Sequence, residues 1–96
     1  MQRVSGAFDE TGYLLALGRA IRALRAEIGL SQEGLAHAAK IDRSHMGKIE
    51  RGERNVTILN VVRICSVLSC SVSELTGRAD AILANDAVFA SDDRPL

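Results

Sequence analysis

Residues 31–52, SQEGLAHAAKIDRSHMGKIERG, spell two short helices joined by a tight connection, and they constrain the fold more than any other part of the chain. Ser31 stands where an N-cap belongs, with a hydroxyl able to accept from the amides of the following turn. The spacing after it predicts a helix from Gln32 to about Ala39 that buries Leu35, Ala36 and Ala39. Asp42 is the next capping residue. It opens a helix that runs through Arg51, buries Met46 and Ile49 and stops before Gly52. The outward face of this second helix is polar and basic. A helix pair of this kind is the usual device for carrying a few side chains into the DNA major groove, where each base pair presents a distinct pattern of donors and acceptors.

The flanks supply the rest of an all-α fold. Upstream, Leu17, Ile21, Leu24 and Ile28 recur at helical spacing, and Gly29 is a suitable stop. Asp9 or Thr11 can cap this first helix, Gly12 and Gly18 weaken its interior, and residues 1–8 read as a loose arm. Downstream, Thr57 caps a fourth helix whose inward positions are Ile58, Val61, Ile64, Cys65 and Leu68. Ser71, with Glu74 three residues later, forms a capping box for a short fifth helix in which Leu75 closes the core. Residues 78–90 carry a weaker stripe, Ala79, Ile82 and Leu83 with Val88 and Phe89, that has no evident place in a completed five-helix core and suits a partner subunit. The acidic stretch 91–96, with the only proline, reads as disordered.

Composition narrows the function classes. With 96 residues the chain suffices for one domain, and its aromatic content of 3% leaves an aliphatic core suited to a helical bundle. Net charge is zero, but the charges are segregated. Residues 19–63 hold nine basic side chains against five acids, whereas residues 64–96 hold two against five. A basic body with an acidic tail can present one face to phosphate. Cys65 and Cys70 have no neighbouring ligand at zinc spacing, no secretory signal is evident and no apolar run approaches a membrane span, so a reduced, soluble, cytoplasmic protein is expected. His37 and His45 lack a carboxylate or cysteine at ligand spacing, so neither a metal nor a cofactor is expected. An enzyme is not expected either, because there is no nucleophile paired with a base, no phosphate loop and no metal set.

Several segments together resemble the lambda-repressor and Cro type of helix-turn-helix domain, the XRE family. They are Ile21-Arg-Ala-Leu-Arg25, Gly29-Leu-Ser-Gln32, Leu35-Ala36, Ile49-Glu-Arg-Gly-Glu-Arg-Asn55 and Ser71-Val-Ser-Glu-Leu75. The resemblance covers about residues 17–77. It implies a compact five-helix DNA-binding domain, assigned to residues 13–77, that binds double-stranded operator DNA as a symmetric homodimer with its third helix as the recognition helix. Residues 1–12 are then a flexible arm, and residues 78–96 a short C-terminal extension, partly helical, with a possible dimer contact and a disordered end. The stretch Glu50 to Asn55 and the helix-four sequence are also similar to controller proteins of restriction-modification systems, which act as activators and repressors.

The resemblance also implies roles. Gln32 matches the family glutamine that contacts a phosphate and braces the recognition helix. Arg43, Ser44 and Lys48 take the outward, base-facing positions, with Arg43 matched to guanine because its planar fork fits the two acceptors that base shows. His45, Arg54 and Asn55 are placed for phosphate, which sets register and not sequence. Arg25 and Glu50 match an internal ion pair and are structural. Gly47, where a serine often stands, and His45, where an aromatic is common, depart from the pattern. Arg51, Glu53 and Arg63 read as a solvated face, with Arg51 also able to lie near the backbone of DNA. Leu59 and Val62 fall beside an already complete inward stripe, and with Val72, Ile82 and Leu83 they are expected to form an isologous dimer seam. The alternatives are an antitoxin whose residues 78–96 order on a toxin protein, and an interaction adaptor that does not bind DNA.

Overall fold

The computed structural model describes residues 9–92, with side chains through Asp86, and within that span the chain is five helices and no strand. They are α1 (Tyr13–Glu27), α2 (Gln32–Ala39), α3 (Arg43–Glu50), α4 (Ile58–Leu68) and α5 (Val72–Asp92). Local chemistry sets nearly every boundary. Asp9 and Thr11 both serve the start of α1, where Asp9 Oδ2 accepts from the Leu14 amide at 2.9 Å and Thr11 Oγ1 from the Tyr13 amide at 3.1 Å. The helix closes at Gly29, φ 68°, with the Leu30 amide donating back to the Arg25 carbonyl at 3.0 Å. Ser31, Asp42 and Thr57 cap α2, α3 and α4 through their side-chain oxygens. Before α5 the capping box is reciprocal: the Ser71 amide donates to Glu74 Oε1 and the Glu74 amide to Ser71 Oγ, each at 3.0 Å.

Ile21, Leu35, Met46, Ile49, Ile64 and Leu75 are the largest fully buried side chains, one or two from each helix, so all five helices share one core. Ile28 and Ile58 do not join it. Both fit the helical spacing, yet they are 54% and 64% exposed, because Ile28 lies beyond the last turn of α1 and Ile58 is the first residue of α4. Burial, and then the neighbouring Cys70, pushes the Cys65 thiol up to about 12, so this side chain packs as a neutral apolar group.

Two findings about α1 differ from the sequence expectations. Gly18 is a contact and not a weakness: a Cβ there would lie 2.3 Å from the Glu50 carbonyl oxygen, so its bare backbone lets α1 rest directly on the end of α3. The fifth helix is long, not short. It runs unbroken through residue 92 and packs mostly on α1, where Ala79 is completely buried and Ile82 and Leu83 lean on the same core. Ion pairs of Arg78 with Glu27 and of Arg19 with Asp86, the latter at 3.2 Å, flank that contact. The loose arm expected over 1–8 and most of the unstructured end expected over 91–96 lie outside the described residues; Ser91 and Asp92 are helical.

Candidate nucleic-acid interface

The α2–α3 pair is set by a buried charge network. Glu50, only 6% exposed at the end of α3, accepts from Arg25 Nε at 2.9 Å, Arg25 Nη2 at 3.0 Å and Gln32 Nε2 at 3.1 Å, while Arg25 Nη1 donates to the Leu30 carbonyl at 3.0 Å. Three helices therefore meet on one carboxylate, and Arg25 ties the α1–α2 turn to it through the Leu30 carbonyl. Removing one partner of such a pair leaves an uncompensated buried charge at a cost of roughly 3–5 kcal/mol. The network also fixes Gln32 at the first turn of α2 with its amide nitrogen turned inward.

With that side held, Arg43, Ser44 and Lys48 of α3 and its C-capping Arg51 face outward, and Gly47 lies buried between them. Arg43 and Ser44 are exposed and Lys48 is half-buried. Among the described residues the one ionic partner of Arg43 is Glu33 at 3.8 Å, and both side chains are at least 70% exposed, so the contact is weak and leaves the guanidinium free to turn. His45 is half-buried beside this face. Arg54 and Asn55 are exposed in the loop that leads to α4. An open recess of about 270 Å³ lies in the middle of the surface, lined by Gln32, Arg43, Ser44, Gly47 and Arg51. The structure thus gathers Gln32, Arg43 and Ser44 around one concavity and sets Lys48, Arg54 and Asn55 outside its lining.

Arg51, read from the sequence as part of a solvated face that could lie near the DNA backbone, is exposed and also lines the recess. Its Nε donates to Glu53 Oε2 at 2.8 Å and its Nη2 to Glu53 Oε1 at 3.3 Å, and this pairing holds the Glu53 carboxyl below its ordinary range. The signal was present in the sequence, since Arg43, Gly47 and Arg51 follow at four-residue steps along one helical ridge. Among the expected seam residues, Leu59 and Val62 are 69% and 48% exposed, whereas Val72, Ile82 and Leu83 pack partly against their own core. Among the described residues no group of three or more His, Cys, Asp or Glu stands where a metal could bind, and no single helix is long and apolar enough to cross a membrane.

A short capped helix set across a second, with a basic outward face around a recess, defines a helix-turn-helix protein. A family model described as "Helix-turn-helix" matches residues 21–75, and the chain belongs to that family, in its XRE-type branch. The family is one of DNA-binding regulators and not of enzymes. The chain is similar to the control protein C.SmaI of Serratia marcescens, at 37% identity over 62 residues that cover 65% of this chain and 74% of the relative. It is similar in structure to the clp gene regulator ClgR of Corynebacterium glutamicum, with a TM-score of 0.80, 28% identity and coverage of 82% and 84% of the two chains. It is also similar to the restriction-modification controller protein C.Esp1396I, solved as a tetramer on its natural 35 base-pair operator, with a TM-score of 0.68, 29% identity and coverage of 75% and 95%.

Proposed function

We propose that this protein is a sequence-specific DNA-binding transcriptional regulator of the controller type, acting as a homodimer on an inverted-repeat operator. The observation that carries the reading is the α3 face: a guanidinium, a hydroxyl and an ammonium, from Arg43, Ser44 and Lys48, stand outward on a helix whose other side is locked by the Arg25–Glu50–Gln32 network. In this reading Arg43, Ser44 and Lys48 enter the major groove and read bases. Gln32, His45, Arg54 and Asn55 take phosphates, which positions the helix without reading sequence. A DNA-binding regulator with no membrane-spanning helix among the described residues fits a cytoplasmic protein. The relation to C.SmaI and C.Esp1396I favours a controller over an antitoxin. The antitoxin reading also asks residues 78–96 to order on a toxin, whereas residues 78–86 are already seated on α1.

Selection of bound sequences from a random duplex pool tests the reading. An enriched inverted repeat with half-site centres one helical turn apart, about 34–36 Å, is the expected result. Equal retention of every duplex, with no sequence enriched, would sink it.

A further inference from the structure

We infer that Arg51 is a second base-reading residue, that Gly47 opens the space from which it reads, and that Glu53 is its positioning residue. The inference rests on the DNA-binding reading above and adds a specificity determinant to it.

The geometry is atomic. Glu53 takes one side of the guanidinium, through Nε and one Nη2 proton. The opposite edge, Nη1–H with the second Nη2–H, meets no acceptor among the described residues, and that pair forms the planar fork which fits the O6 and N7 acceptors of guanine. Long side chains on a helix lean back over the preceding turn. Arg51 does so, and Nη1 comes within 3.1 Å of the place where a Cβ on Gly47 would stand, with Gln32 Oε1 3.4 Å from the same point. A side chain at position 47 would compete for the space the guanidinium uses. Gly47 therefore removes a direct contact of its own and lends its place on the face to Arg51. The fork is brought one turn up α3, toward the Arg43 end, and away from the helix terminus where a phosphate contact alone would be within reach. Two guanidiniums, from Arg43 and Arg51, then share one recess and predict two guanine positions in each half-site.

Selection from the random duplex pool, run on the wild type and four variants with affinities measured on the enriched duplex and its single-base substitutions, tests this. Arg51→Ala should lose preference at one base pair by roughly 5- to 150-fold and keep it elsewhere. Arg51→Lys, a point charge without the fork, should lose the same preference while keeping overall affinity. Glu53→Gln should weaken preference at that position and no other, which a merely structural role would not produce. Gly47→Ala should abolish the preference at the same base pair while raising the thermal midpoint, because Ala is the better helix residue. A thermal midpoint at or above that of the wild type excludes unfolding as the cause of the loss. If Arg51→Ala weakens binding evenly across all duplexes and flattens the salt dependence, Arg51 is a phosphate contact and the inference is overturned. Retention of the full base preference by Arg51→Ala or Gly47→Ala overturns it as well. A wild type that enriches no sequence overturns the regulator reading and this inference with it.

Discussion

At the scale of single residues, glycines divide this molecule more sharply than charges do. Gly18 and Gly47 both sit inside helices, where Ala is ordinarily better by about 1 kcal/mol. At Gly18 the added methyl would meet the Glu50 backbone carbonyl at 2.3 Å, and neither helix can yield without separating from the other. Forcing atoms into a packed contact costs about 1–3 kcal/mol, so against the gain of about 1 kcal/mol in helix propensity Gly18→Ala is predicted to lower stability by a net of up to about 2 kcal/mol. The urea midpoint measures this, and a more stable Gly18→Ala would mean that α1 and α3 are not in the close contact described. From the sequence Gly18 is legible only as a weak point in α1, because the atom that demands it is contributed by a residue 32 positions away. Arg51 is legible only in part, for a related reason. Its helical ridge is visible in the sequence, but the pairing with Glu53 across the turn at Gly52 depends on three-dimensional geometry.

At the scale of elements, the caps were the most legible features, since each is a contact between residues two to five positions apart. Ser31, Asp42, Thr57 and Ser71 mark four of the five helix starts. The length of α5 was not legible, because its buried residue after Leu75 is the small Ala79 and the flanking Gly77 and Asp80 dilute the stripe; only the facing surface of α1 explains why the helix continues. Ile28 and Ile58 show the opposite error, a periodic template carried past the ends of the helices that pack. Caps also give the start of α1 a pH dependence. The Asp9 carboxyl is held below its ordinary value of 3.8, chiefly by the Leu14 amide and then by the Thr11 side chain. A depressed carboxylate contributes stability that is complete above the ordinary value and is lost as pH falls through the lowered one. Amide exchange at Leu14, corrected for its intrinsic rate, should therefore accelerate on acidification below about pH 4. Asp9→Asn should remove that acid-induced step, and persistence of the step in the variant would assign the effect to another group.

At the scale of the whole molecule, the remaining question is how two recognition helices are spaced. A symmetric dimer must place the same patch of each protomer against its copy. α4 offers such a patch: Ile58, Leu59 and Val62 are 64%, 69% and 48% exposed on a helix whose other face is in the core. Of the residues expected at the seam, Leu59 and Val62 are free to meet a second copy, whereas Val72, Ile82 and Leu83 spend much of their surface on their own chain. The seam is accordingly predicted to centre on α4, with the α5 residues at its edge. Charging it, by Leu59→Asp together with Val62→Asp, should halve the molecular mass in solution at micromolar concentration. It should also weaken operator binding much more than binding to an isolated half-site, because only the full operator draws on both recognition helices. Both substitutions are at exposed positions, where surface changes ordinarily alter stability by about 0.5 kcal/mol or less, so the variant remains folded and its helical circular dichroism should match the wild type. A variant that stays dimeric with unchanged operator affinity would move the seam off α4. The next surface to charge would then be the exposed side of α5 at Ala81, Ala84 and Asn85.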